Sequence, residues 1–185
     1  MALEIVAEVP VAFVSQEAHG LRGRIGFCPA PGRWRLDASV EPDRLLDGDL
    51  ASLCACGAAV LVDLLEEAEM SRIGLPRLIE AARRAGLQVL WFPIPDGSAP
   101  SDLGATMRLA ARILEHLAAG RTVAVHCHGG VGRSGTITAV SLVAAGVDPG
   151  RALELVRQAR PGAATAPGQE EFVHEFAAAW KRGPG

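Results

Sequence analysis

Two kinds of apolar segment alternate along this 185-residue chain. One kind is short and nearly continuous in apolar residues: Arg24 to Cys28, Ala59 to Leu64, Leu87 to Phe92 and Thr122 to His126. Runs of this length, bounded by turn residues, predict strands covered on both faces, as in parallel sheets. The other kind is longer, with apolar positions at helical spacing. It covers residues 42–54 (Leu45, Leu46, Leu50, Leu53), 75–85, 102–119, 133–145, 149–159 and 168–180. Helix punctuation marks several ends: Pro42 near the first start, Asp102 as a first-turn or capping acid, Gly86 and Gly120 as stops. Residues 3–9 and 11–14 read as β segments broken at Pro10, and Pro29-Ala-Pro-Gly32 as a turn. The alternation predicts an α/β fold class with a twisted, mostly parallel central sheet flanked by helices. No repeat or long linker divides the chain, so one domain is expected over 1–185, its core at about 20–180. Ligands in such sheets sit beyond the C-terminal ends of the strands.

One strand end stands out there. The run Thr122 to Val125 finishes on His126-Cys127-His128-Gly129-Gly130-Val131-Gly132-Arg133-Ser134, and a new apolar run begins. Glycines at 129, 130 and 132 let a backbone turn tightly and aim successive N–H groups inward. The following helix start adds unpaired N–H groups and partial positive charge. Arg133 offers a planar fork for two oxygens of a phosphate. The same field favours the thiolate form of a cysteine nucleophile. Cys127 is therefore the expected nucleophile, Arg133 the phosphate binder, and Ser134 a hydrogen-bond donor to the departing sulfur. The backbone of His128, Gly129, Gly130, Val131, Gly132 and Arg133 would cradle phosphate, sulfate or vanadate. His126 is expected to hold the loop through ring hydrogen bonds. The spacing does not fit a Walker A loop, which needs Gly-Lys-Ser/Thr, and three consecutive ligand-type residues cannot turn to one zinc ion. No metal and no cofactor is expected.

Hydrolysis of a phosphate monoester through a cysteinyl-phosphate also needs a proton for the leaving oxygen. The loop from Phe92 to Asp102 offers two carboxylates. Asp96 lies between Pro95 and Gly97 and is favoured as general acid; Asp102 is already explained as a helix cap. Gln169, before the last helix, reads either as an orienter of the hydrolytic water or as a first-turn residue facing solvent. His19, His116 and His174 have no partners visible in the sequence.

Composition narrows the field. Hydrophobic residues make up 49% and charged residues 21%, an ordinary soluble balance, and a net charge of −3 gives no basic face for nucleic acid. No cationic leader and no membrane-length apolar run is visible, so no membrane association and a cytoplasmic location are expected. Cys28, Cys54, Cys56 and Cys127 have neither disulfide-framework nor metal-knuckle spacing. Cys54 or Cys56 reads as a resolving thiol for Cys127 or, more simply, as a small apolar residue.

At His126 to Ser134 the chain resembles the cysteine-dependent protein phosphatases of dual-specificity type, with His-Cys, five residues, Arg, Ser/Thr. Ile25 to Gly32, Glu69 to Pro76 and Pro93 to Pro100 are similar to the cyclin-dependent-kinase-associated branch. Arg160-Pro-Gly162 to Phe172 is similar to the cell-division-cycle branch. The resemblance implies a protein tyrosine phosphatase-like fold, Cys127, Arg133 and Asp96 in the roles above, and no metal cofactor. The expected activity is removal of phosphate from phosphotyrosine, phosphoserine and phosphothreonine in a protein or peptide. Small phosphorylated metabolites, inositol phosphates or inositol lipids are the alternative substrates. An inactive phospho-binding module is a further reading, disfavoured because nucleophile, arginine and acid are all present.

Overall fold

The computed structural model describes residues 9–33 and 42–183. The β segment expected at 3–9 lies almost wholly outside these residues. Five strands form one sheet in the order β1-β2-β5-β3-β4: β1 Ala12–Phe13, β2 Ile25–Cys28, β3 Ala58–Asp63, β4 Gln88–Trp91 and β5 Thr122–His126. Only the β1–β2 pair is antiparallel; β2, β5, β3 and β4 run parallel, with Cys28 beside His126 and Asp63 beside both His126 and Trp91. The expected mostly parallel α/β sheet is therefore present, and β5, which ends one residue before Cys127, is its centre.

Side-chain alternation along the strands feeds two cores. Phe27, Val60, Val62, Val123 and Val125 face one, while Leu61 and Ala124 face the other. The first core is closed by α4 Leu103–Ala118, α5 Gly132–Ala144, α6 Pro149–Ala159 and α7 Gln169–Arg182, with α5 packed against α4, α6 and α7. The second lies under α1 Pro42–Ala55 and α3 Leu78–Arg84. Every residue from Arg133 to Val143 is buried, so α5 is a central helix rather than an amphipathic surface one.

The sequence reading did not include α2, Glu67–Arg72. Its six residues span fewer than two turns, too short for a periodic signal to emerge. The expected helix at 75–85 begins later, at Leu78, because Leu75 to Arg77 forms a turn stabilised by Leu78 N donating to Leu75 O.

Candidate active site

The carboxyl end of the sheet gathers the chemistry. Cys127 follows β5 and is buried at the floor of the loop that enters α5. The loop's carbonyls are tied outward: His128 O accepts from Ala30 N (3.0 Å), Gly130 O from Arg160 Nη1 (3.1 Å) and Val131 O from Ala164 N (3.2 Å). In a trans peptide the N–H opposes the C=O, so the amides of Gly129, Val131 and Gly132 point away from those partners. Helix α5 begins with no side-chain cap at Val131. By contrast α4 is capped by Asp102, which accepts from Ala105 N at 2.8 Å, and α6 by Asp148. The N-terminal amides of α5 are thus left for an anion.

Two of the three loop glycines have a steric reason. Gly130 has φ +66°, and a Cβ there would lie 2.2 Å from Pro29 N. At Gly132 a Cβ would lie 3.1 Å from Gln169 Nε2. Gly129, expected to be needed for the same tight turn, has open space and no positive φ.

Arg133 is buried, and its two terminal nitrogens are fully engaged. Nη1 donates to Glu69 Oε2 (2.7 Å) and Ile94 O (2.9 Å); Nη2 donates to Glu69 Oε1 (2.8 Å) and Asp96 Oδ1 (2.8 Å). Glu69 is itself buried on α2, so the pair is a two-bond fork from which water is excluded. Burial opposes ionisation of Glu69, but the hydrogen bonds and charge of Arg133 outweigh it and hold the carboxyl below its usual range. Burial likewise opposes the Arg133 charge, and Glu69 more than restores it.

Asp96 is exposed and reaches the site only through this contact with Arg133. Asp102 remains a cap, away from Arg133. The sulfur of Cys127 is 3.3 Å from Ser134 Oγ. In the thiol form Cys127 donates; in the thiolate form only the Ser134 hydroxyl can. His128 stands half-exposed at the rim, its Nδ1 3.9 Å from Glu69 Oε1.

Two supporting residues, His126 and Gln169, lie deeper in the fold than the rim of the site. The His126 ring nitrogens have no hydrogen bond of good geometry; Nε2 lies 3.3 Å from Asp63 Oδ1 on the neighbouring strand, and the Cys127 backbone favours the charged ring. Strand register, not the loop, explains this contact, since Asp63 and His126 are directly paired. Burial drives the His126 imidazole below its ordinary value despite the facing carboxyl, and pushes Asp63 up. Gln169 does not face solvent: it is completely buried, Nε2 donating to Ser98 O (3.0 Å) and Oε1 accepting from Ala166 N (3.2 Å).

Cys54 and Cys56 close α1 at the opposite end of the sheet, where Ala58 pairs with Thr122. The length of β5, about 16 Å at 3.3 Å per residue, separates that end from Cys127, so neither thiol can resolve it in this fold. Cys28 is nearer, but it packs in the core on the other face of the sheet from Cys127, and burial, then the charge of Cys127, pushes its thiol up. Among the described residues no group of three or more His, Cys, Asp or Glu side chains is placed to hold a metal ion, and no helix is long and apolar enough to cross a membrane.

Glu69 and Arg160 were missed by sequence reasoning. Glu69 lies on α2, too short for its spacing to reveal a buried face, and its burial is tolerable because a buried cation meets it. Arg160 stood out only within the segment that resembles the cell-division-cycle branch, and its role was hidden because its two partners, Gly130 O and Pro10 O, are far apart in sequence.

An arginine fork and a cysteine under the uncapped start of a central helix, in this sheet topology, define a Cys-loop phosphatase. Comparison with known proteins gives the family. Residues 43–147 match the family described as "Polymorphic toxin system, DSP-PTPase phosphatase", and the chain belongs to it. It is a cysteine-dependent dual-specificity phosphatase. Cyclin-dependent kinase inhibitor 3 of Rattus norvegicus is 28% identical over 155 residues, covering 82% of this chain and 71% of that protein. The structure of Tk-PTP in its active form is 30% identical, covers 84% of this chain and 92% of that one, and superposes with a TM-score of 0.68. A kinase associated phosphatase whose catalytic-site cysteine is replaced by serine shares the fold, with a TM-score of 0.83 at 24% identity over 95% of this chain and 97% of that one.

Proposed function

We propose that this phosphatase hydrolyses phosphorylated protein side chains through a cysteinyl-phosphate on Cys127. The observation that carries the assignment is the meeting point at Arg133. One guanidinium binds the acid loop through Ile94 O and Asp96 while standing at the start of the uncapped helix above Cys127. The phosphoryl dianion takes the place of the Asp96 carboxylate on Nη2 and receives the inward amides of the loop. The Cys127 thiolate attacks phosphorus. As the S–P bond forms, the bond to the leaving oxygen breaks, and that oxygen takes a proton from Asp96 in its acid form. A water then attacks phosphorus, gives its proton to the Asp96 carboxylate, and expels sulfur, which the Ser134 hydroxyl stabilises. Glu69 keeps the guanidinium fixed in orientation throughout.

Phosphoprotein substrates are supported by the names of the relatives, a cyclin-dependent kinase inhibitor and a kinase associated phosphatase. The half-exposed His128 and Val131 line the rim where substrate choice is expected to be made. A thiolate enzyme needs a reducing compartment, which supports a cytoplasmic setting. The test is a substrate panel with wild type and Cys127→Ser: phosphopeptides of all three residue types, inositol phosphates and sugar phosphates. Phosphopeptide turnover by wild type alone, with binding kept in Cys127→Ser, is the expected result. Turnover by Cys127→Ser removes the nucleophile assignment, and dominant activity on inositol or sugar phosphates removes the protein-substrate reading.

A further inference from the structure

The acid loop carries Asp96 between two hydrogen-bonded pins. On one side, Ile94 O accepts from Arg133 Nη1 (2.9 Å), and Ile94 N donates to Leu64 O (3.0 Å). On the other, Ser98 O accepts from Gln169 Nε2 (3.0 Å). Between them Pro95 is stiff, Gly97 has φ +71°, and the Asp96 side chain is largely exposed. The first pin comes from the start of α5 and the second from the start of α7. Gln169 is completely buried and its amide has a defined orientation: Ala166 N donates to Oε1, which leaves Nε2 for the Ser98 carbonyl. The same amide lies against Gly132, where an added Cβ would come within 3.1 Å of Nε2. One side chain thus touches both the phosphate-loop backbone and the loop that carries the acid.

We propose that Gln169 is a positioning residue for proton donation: it straps the acid loop at Ser98 and sets the height of Asp96 above Cys127. This rests on Asp96 being the general acid. It differs from a water-orienting role, because the contact it rests on is the Nε2 bond to the Ser98 carbonyl of the acid loop. Without the strap the Gly97–Ser98 turn loses its outer anchor. A misplacement of about 1 Å can cost on the order of 100-fold in rate. The loss should fall on the step that needs the proton.

The experiment compares Gln169→Ala and Gln169→Glu with wild type on two substrates, an alkyl phosphate such as a phosphoserine peptide and 4-nitrophenyl phosphate. The ratio of the two rates on one preparation is independent of the folded fraction, so a simple loss of stability leaves it unmoved. The expected result is a fall of about 10- to 100-fold on the alkyl phosphate, with the aryl phosphate within about two-fold. In Gln169→Glu the introduced carboxylate faces the Ser98 carbonyl, acceptor against acceptor. Its rate relative to wild type should recover as pH falls and protonation restores a donor. Gln169→Ala added to Asp96→Ala should cost almost nothing further. Equal losses of kcat/KM, which reports the first step alone, on both substrates overturn the strap. If Asp96→Ala itself shows no dependence on leaving group, the acid assignment fails and the strap falls with it. If Asp96→Ala shows that dependence and Gln169→Ala does not, only the strap is wrong.

Discussion

The loop that holds the sulfur and the loop proposed to hold the acid are built on opposite plans. The Cys127 loop is short, buried and set by its own backbone: β5 delivers it, α5 receives it, and Gly130 has the one conformation and clearance that Cys28–Pro29 allows. The acid loop is exposed and has almost no structure of its own. Arg133 and Gln169, 39 and 71 residues away from the atoms they hold, fix it from outside. Rigidity at the nucleophile comes from local chain geometry, whereas rigidity at the acid is borrowed from helix starts. The consequence is that the nucleophile site should be broken by changes inside it, and the acid site by changes far from it in sequence.

Within the acid loop itself the two carboxylates make the sharpest contrast. Asp96→Ala should lower the rate on poor leaving groups by about 10²- to 10⁴-fold and leave stability nearly unchanged, since Asp96 is exposed and caps nothing. Asp102→Ala should do the reverse: loss of the cap on Ala105 N costs about 1 kcal/mol in denaturant unfolding, with kcat retained. Steady-state rates across a leaving-group series and urea midpoints for both variants check this. An Asp102→Ala enzyme with the leaving-group dependence would mean that the acid had been assigned to the wrong residue.

Glu69→Gln attacks the shared anchor. It leaves the buried Arg133 charge facing a neutral amide that can offer only one acceptor. Breaking a buried pair in this way typically costs about 3–5 kcal/mol, and the retained acceptor places this change near the lower figure. Because Arg133 also pins Ile94, the variant should lose affinity for vanadate and proton donation together. Unfolding curves and competitive inhibition measure both, and normal vanadate affinity in a destabilised protein would reduce Glu69 to a purely structural partner. The linkage to pH has a clear sign. The Glu69 carboxyl is held below its unfolded value, so its stabilisation is complete above the ordinary glutamate range and is lost as pH falls through the lowered value.

The same division governed what could be read from the chain. Among the described residues, the strands, every α-helix but α2 and the Cys127 loop were legible because their signals are contiguous: apolar runs, punctuation and fixed spacing. The meeting of Asp96 with Arg133 followed from both loops leaving the same end of a parallel sheet. The holders were not legible. Glu69 sits on a helix too short to show a period, and Arg160 reaches two carbonyls that sequence spacing cannot bring together. Gln169 was singled out, but its burial and its grip on Ser98 depend on how α7 docks against α5. Gly129, inside the most readable motif, meets no protein atom that would exclude a Cβ, because spacing identifies the loop without saying which of its turns is crowded.

The mildest effect should come from beneath the nucleophile loop. His126 is buried beside Asp63, and burial holds its imidazole below the ordinary value of about 6.5. The unfolded chain therefore takes up a proton at a pH where the folded one does not. Stability is full above the unfolded value and declines as pH falls through it, by at most about 1.4 kcal/mol per pH unit for one group. His19 and His116, also lowered by burial, add terms of the same sign. Asp63 enters with the opposite sign: its raised folded value gives stability on the acid side that fades as pH rises through it. The difference between wild type and His126→Asn isolates the term. Urea midpoints measured from pH 7.5 to 5.5 should fall in wild type, and His126→Asn should fall less steeply. Equal slopes would mean that His126 is charged in the folded state, and that Asp63 beside it is a true ion-pair partner rather than a buried neighbour.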